Sequence, residues 1–298
     1  MEDLCFDYSP QISALKNISL EICQGEQVAL VGHNGSGKTT LVRQLNGLLR
    51  PCSGRLRVQG MDTAAHPVSQ LAKQTALLFQ NPDDQICKSR VWDEVAFGPK
   101  NLGYARQKVR VLVNEALALF DLLPLEAANP HDLGYSERKR VAISSVIAMD
   151  TPVIVLDEPT AGLDAYEITL LDQMLEKLKQ EGKTVIIISH DMDFVAEKLS
   201  RVVCLAQGEK TFDGNCRNFF SDDQLLSECG LFAPQVVRLS THFQQKKNGL
   251  DPRGVHCWIL IFCLICDEGA LPMALIHGGD PKSRVRLQPL LFIHLGLT

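Results

Sequence analysis

Short, unbroken apolar runs alternate with amphipathic stretches along most of this 298-residue chain. The run QVALV at 27–31 ends at Gly32, and the runs at 75–79, 153–156 and 184–189 have the same continuous character. A strand that is apolar on both faces is one buried on both sides, as in a parallel sheet covered by helices. Between the last two runs Ile168, Leu171, Leu175 and Leu178 recur at helical spacing, and Gly182 stops the helix. Residues 41–48 also have helical character and end near Gly47. Buried strands alternating with amphipathic helices predict an α/β fold with a mostly parallel sheet. The stretch 82–148, notably 107–120, reads as mostly helical and interrupts the strand series, which predicts a helical subdomain inserted into the α/β core.

After about residue 245 the character changes. Residues 246–298 mix Gly, Pro and isolated bursts such as WILIFCLIC and PLLFIHLGL without a clear period. The organisation expected is therefore a domain over 1–245 and a short C-terminal extension over 246–298. That extension is read first as a terminus adding nothing to function, with a small module or a membrane-facing patch as alternatives. Composition narrows the class further. Hydrophobic content of 45% and charged content of 22% describe an ordinary globular protein, and a net charge of -5 argues against nucleic acid as the main partner. Met1 is followed by Glu2 and Asp3, so no charged-then-apolar leader opens the chain. The longest apolar run, 258–266, falls short of the roughly 18 residues needed to span a bilayer. Membrane association is expected to run through partners. Ten cysteines are scattered without a disulfide framework, and the lone Cys263/Cys266 pair has no second ligand pair, so buried reduced thiols are expected.

The chemistry enters at Gly32-His33-Asn34-Gly35-Ser36-Gly37-Lys38-Thr39-Thr40, which follows a buried strand, precedes a helix and fits GxxxxGK followed by Ser or Thr. Glycines there let backbone N–H groups turn inward around a β-phosphate, and the helix N-terminus adds its positive end. Lys38 is expected to reach the β- and γ-phosphates and the Thr39 hydroxyl to bind Mg²⁺. Such a loop needs a second carboxylate on a neighbouring strand, and VIVLDE at 153–158 supplies one. Asp157 would hold the Mg²⁺ hydration shell. Glu158 projects differently and is the candidate general base.

With these motifs in place, the chain resembles the ATP-binding subunits of ABC transporters, through residues 1–245. LDEPTAGLD at 156–164 is similar to the family's Walker B segment running into its D-loop, which implies Asp164 at a dimer interface. Gln80 in LLFQNPDDQ occupies the Q-loop, implying Mg²⁺ sensing and a face toward the membrane partner. His190 in IIISHDMDF falls at the switch histidine, a γ-phosphate contact. Tyr8 in FDYSP lies where the family stacks an aromatic on adenine. FQNPDDQ, VWDEVAFGPKNLG (91–103) and LLSECGLFAPQVVRLS (225–240) resemble the energy-coupling factor branch, including its cobalt-transporter type. That resemblance implies ATP and Mg²⁺ as ligands, a second ATPase subunit, a transmembrane coupling protein and a substrate-binding membrane protein at the cytoplasmic face of the cell membrane. Asp83 and Asp84, just after Gln80, are expected near the groove for the coupling protein's helices.

The ABC signature, LSGGQ in the family, aligns with Leu133-Gly134-Tyr135-Ser136-Glu137, trailed by Arg138, Lys139 and Arg140. The family serine is replaced by Gly134 and the second family glycine by Ser136, which either donates instead or crowds a backbone the family keeps bare. Glu137 for glutamine is a milder change that the resemblance implies is tolerated. In a head-to-tail dimer the family serine donates to the partner's γ-phosphate. Losing a hydroxyl bond to a charged group costs roughly 1.5–3 kcal/mol, on the order of ten- to a hundredfold. The helix terminus and its amides remain. The reading is an ATPase powering an importer of vitamins or transition-metal ions. The alternative is an ATP-binding, weakly hydrolysing structural subunit of a heterodimeric pair. A soluble ABC ATPase acting on nucleic acid or ribosomes is disfavoured by the single P-loop and the acidic balance.

Overall fold

The computed structural model of the protein describes residues 1–235, 237 and 238. The extension at 246–298 and the Cys263/Cys266 pair lie outside the described residues. The chain begins β1 (Glu2–Ser9), β2 (Ile12–Ile18), β3 (Gln27–Val31), α1 (Lys38–Leu45), β4 (Ser53–Arg55), β5 (Arg57–Val58), β6 (Met61–Asp62), α2 (Val68–Leu71) and β7 (Thr75–Leu78). Helices α3 (Val91–Asn101), α4 (Arg106–Leu119) and α5 (Tyr135–Ile147) follow. The order then resumes with β8 (Val153–Asp157), α6 (Ala165–Gln180), β9 (Thr184–Ile188), α7 (Met192–Lys198), β10 (Arg201–Ala206), β11 (Glu209–Asn215), α8 (Cys216–Phe220) and α9 (Asp223–Glu228).

Six strands form the central sheet in the order β11-β10-β3-β9-β8-β7. It is parallel from β10 to β7, and the edge strand β11 runs antiparallel to β10. Both faces are covered, which is why the strands read as unbroken apolar runs. Within β8, Ile154 and Leu156 face the core shared with the later helices, while Val153 and Val155 face the core shared with β1, β2 and α1. Val185 and Ile187 against Ile186 and Ile188 divide β9 in the same way. The β-branched run at 184–188 suits this pleated, doubly buried surface.

The predicted α/β class with a mostly parallel sheet matches this topology. Two details differ. Helix α1 begins at Lys38, three residues before the expected start, because the Gly37 carbonyl accepts the Leu41 amide and opens the helical ladder inside the glycine loop. The expectation of buried thiols holds for Cys204, Cys216 and Cys229, whereas Cys23, Cys52 and Cys87 are exposed. A further feature has no counterpart in the sequence reading. Strands β2, β1 and β4 make a separate antiparallel sheet, whose short and irregular register hides the period-2 alternation.

Helix α6 shows how local sequence sets an element's ends. Asp164 at its N-cap accepts from the Glu167 amide, and the Glu167 carboxylate accepts from the Asp164 amide, 2.8 and 2.9 Å apart. This capping box satisfies two amides at the helix start. Lys177 and Lys179 in the last turn favour the negative end of the helix dipole. Among the described residues no helix is long and apolar enough to cross a membrane. The helical stretch 91–147 packs on the sheet through fully buried residues such as Leu117 and Phe120. Leu117→Ala should lower the free energy of urea unfolding by about 2–5 kcal/mol, as core truncations of this kind do.

Candidate active site

Parallel strands deliver their C-terminal ends to one edge of the sheet, and the candidate residues collect there. Strand β3 leads into the glycine loop, β8 ends at Asp157, and β9 is followed two residues later by His190. Because β9 lies between β3 and β8, the three ends sit side by side.

The loop 32–40 depends on two glycines. A Cβ on Gly32, at φ +144°, would lie 2.1 Å from the Leu205 carbonyl oxygen. One on Gly37, at φ +102°, would lie 2.6 Å from the Ala14 carbonyl oxygen. No side chain fits either place, so the backbone can wrap closely only with glycine there. Lys38 is buried, its ammonium donating to the Gly32 carbonyl at 2.8 Å and the His33 carbonyl at 2.9 Å, with Ser36 Oγ at 3.5 Å. Burial lowers its pKa, while Glu158 and Asp157 pull in the opposite direction. The remaining loop residues, Asn34, Gly35 and Thr40, complete the turn, and His33 Nδ1 meets the Asn34 carbonyl at 2.7 Å.

Thr39 Oγ1 donates to Asp157 Oδ2 at 3.1 Å, so helix α1 and strand β8 are joined at the two groups expected to share a cation. Burial raises the Asp157 pKa, and the Thr39 bond opposes that rise. Glu158 follows with an unusual backbone, φ +50°, fastened by its amide to the Ile188 carbonyl at 2.9 Å. Positive φ is costly for a residue with a side chain and persists only where the surroundings impose it. Its Oε2 accepts from the His190 amide at 3.2 Å. Its Oε1 is buried without a hydrogen bond and faces His190 Nε2 at 3.5 Å. Burial raises the Glu158 pKa and lowers that of His190, where the Lys38 charge adds to the effect. Both shifts run toward the uncharged form, and one acceptor oxygen of Glu158 has no hydrogen bond.

Tyr8 is exposed and its hydroxyl is 3.0 Å from Thr40 Oγ1, with Phe6 packed edge-on against its ring. Gln80 lines a cavity of about 310 Å³ with Thr39, Arg43, Asp84 and Asp157. Asp83, expected near the groove, forms an ion pair with Arg138 Nε at 3.0 Å and stays half exposed. Asp164 caps α6.

The residues 133–137 stand apart: among the described residues, no hydrogen bond or ion pair joins them to Lys38, Thr39, Asp157 or Glu158. Gly134 is the N-cap of α5, and its amide donates to Glu137 Oε2 at 2.9 Å. Tyr135 occupies the first glycine position of LSGGQ, a departure beside those at Gly134, Ser136 and Glu137. Its ring lies against Gly162, where a Cβ would come within 2.4 Å of Cε1. Ser136 lies in the first turn of α5. Lys139, to which the sequence pattern gives no role, has a fully buried side chain. Burial pushes its ammonium down to about 8, with Asp157 and Glu158 pulling it back up. A lysine flanked by two arginines just after the signature was the available signal.

The ABC transporter family model matches residues 15–161. A putative ABC transporter ATP-binding protein of Methanosarcina acetivorans is 40% identical over 84% of this chain and 41% of its own length. The chain spans about two fifths of the length of the first relatives it matches. The energy-coupling factor transporter ATP-binding protein EcfA of Methanocaldococcus jannaschii is 38% identical, covering 83% of this chain and 89% of that protein. The structure of cbiO1 from Clostridium perfringens, described as part of the ABC transporter complex cbiONQ, aligns with a TM-score of 0.67 at 33% identity, over 80% of this chain and 96% of that one. A glycine loop, a buried strand-end carboxylate pair and an EcfA relative matched over 89% of its length converge on one conclusion: the chain belongs to the ABC transporter ATP-binding family, with relatives on its energy-coupling factor branch.

Proposed function

We propose that the chain is the ATP-hydrolysing subunit of an energy-coupling factor type importer of vitamins or transition-metal ions. It would work at the cytoplasmic face of the membrane with a second ATPase subunit, a transmembrane coupling protein and a substrate-binding membrane protein. The observation that carries the reading is Glu158 Oε1, buried at the end of β8 without a hydrogen-bond donor. An orphaned acceptor of this kind costs stability unless a further donor arrives, and a water positioned for attack is such a donor.

The residues fit ATP and Mg²⁺. The glycine cradle at 32 and 37 leaves no room for a side chain, and Thr39 and Asp157 bring one hydroxyl and one carboxylate together. Among the described residues no cluster of three or more His, Cys, Asp or Glu is present, which suits an ion held largely through phosphates and waters. Thr39 and Asp157 would hold it, with Gln80 at the rim. Mg²⁺ would neutralise charge on the transferring phosphoryl group. Lys38 would exchange its loop carbonyls for phosphate oxygens, and Tyr8 would offer its ring to the adenine. Glu158 would take the proton of the attacking water, its raised pKa bringing it nearer to the working pH. His190 would orient the carboxylate through its amide.

A second reading, the weakly hydrolysing member of an asymmetric pair, is favoured by the signature. Gly134 brings no hydroxyl, and its amide is taken by the Glu137 carboxylate. That negative charge sits where a partner's phosphate would bind, at a helix start otherwise attractive to anions. Gly134 and Glu137 would weaken the site formed with a partner's nucleotide and leave this chain's own glycine loop intact.

Two measurements test these readings. Glu158→Gln should slow ATP turnover by roughly 10²–10⁴-fold while ATP affinity stays within about twofold; unchanged turnover removes Glu158 from its role. A Cβ on Gly134 would meet only Glu137 Oε2, at 3.5 Å, so a serine fits there. In a Glu158→Gln background, adding Gly134→Ser with Glu137→Gln should lower the MgATP concentration that drives dimerisation by about tenfold, read by light scattering. No shift would mean that the signature is not weakened by these residues.

A further inference from the structure

Three consecutive basic side chains follow the signature, and each reaches a different element. Neighbouring residues on a helix project about 100° apart, so 138, 139 and 140 sample most of the circumference of α5. Arg138 forms an ion pair with Asp83 in the Gln80 loop at 3.0 Å and donates to the Leu133 carbonyl at 2.6 Å. Arg140 pairs with Glu167 of α6 at 3.0 Å, and Glu167 caps the Asp164 amide. Lys139 lies between them and points inward.

The Lys139 ammonium donates to the Gln80 carbonyl at 2.8 Å and approaches the Asp157 carbonyl at 3.5 Å. Taking an ammonium out of water is costly unless acceptors and opposite charge replace the lost hydration. Both are supplied by the nucleotide site alone: two carbonyls from its rim and its strand end, and the field of Asp157 and Glu158. The same face of α5 grips the loop a second time. Gln85 accepts from the Phe79 amide and donates to the Ala142 carbonyl and Ser145 Oγ at 2.9 and 2.8 Å. Gln85 is a neutral brace within loop and helix. Among the described residues, Lys139 is the one whose side chain hydrogen-bonds from α5 to both the loop and β8.

We infer that Lys139 is a positioning residue: through its ammonium the signature helix holds the Gln80 loop in register with the Asp157 end of β8, so that displacement of the loop reaches the carboxylates. This rests on the ATPase reading above, since it assigns the bridge to the service of Gln80 and Asp157. A side chain that merely filled space would serve the packing of α5 as a whole, whereas a bridge acts on one loop.

The test is a cycle of Lys139→Met, Gln80→Ala and the double variant in the full chain, with ATP turnover and local amide exchange measured for each. Lys139→Met should lower kcat about tenfold with KM for ATP unchanged within about twofold. Exchange in the peptide spanning 79–84 should speed up about tenfold while peptides from α4 and α6 stay as they were. The double variant should be no slower than Gln80→Ala, because the bridge to the residue 80 carbonyl then holds a loop with no Gln80 side chain left to position. Effects that multiply, a raised KM with kcat unchanged, or unaltered exchange at 79–84 would each overturn the inference. If Lys139→Met does not fold, Lys139→Gln keeps an amide donor within the same envelope and is held to the same three readouts. The exchange readout does not depend on turnover. Glu158→Gln is run in parallel: loss of its effect breaks the ATPase reading, whereas an additive Lys139 cycle with Glu158 still essential breaks only the bridge.

Discussion

The parallel pairing of β3, β9 and β8 is the constraint on which the rest depends. Parallel strands end on the same side, so Gly32, Asp157 and His190 are brought to one edge although they are distant in sequence. Register decides the chemistry within that edge. Asp157 pairs with Ile188, so the next residue, Glu158, lies at the first position beyond the ladder and is fastened by its amide to the Ile188 carbonyl. A slip of one residue would turn the carboxylate to the opposite face. The positive φ of Glu158 is the local strain that this arrangement sustains.

Buried charge is the second theme of the molecule. Lys38, Lys139, Asp157 and Glu158 are all nearly or wholly withdrawn from solvent. Each alone would be expensive to bury, and their mutual fields lower the cost. Lys38 and Lys139 approach the carboxylates from opposite origins, one from the glycine loop and one from the signature helix. The nucleotide site is thus a junction of the sheet and the inserted helices. Arg140 and Glu167, both largely buried, extend the same network to the D-loop helix.

Much of this was legible in residue order. The strand 27–31 was read with its exact bounds, and the helix carrying Leu171 and Leu175 was recognised from its spacing and its terminal Gly182. Doubly buried strands announce themselves as unbroken apolar runs, and the glycine loop carries its mechanism in its spacing. The antiparallel strands β1 and β2 escaped notice because exposed and buried positions do not alternate cleanly across their bulges. Asp83 is expected from its place after Gln80 to lie near a partner's groove, and its pairing with Arg138 joins positions 55 apart in number, which no local pattern reports.

By itself the sequence determined the α/β class, the phosphate loop, the paired acids at the end of β8 and the family to which they belong, because each is a local pattern of residue types at fixed spacing. Only the tertiary structure decided how those pieces touch. That Glu158 keeps an oxygen without a donor, that Tyr135 covers Gly162, and that Lys139 spends its charge on two backbone carbonyls are facts of burial and distance. A main-chain carbonyl has no letter in the sequence, so a bond made to one appears only when the chain is folded.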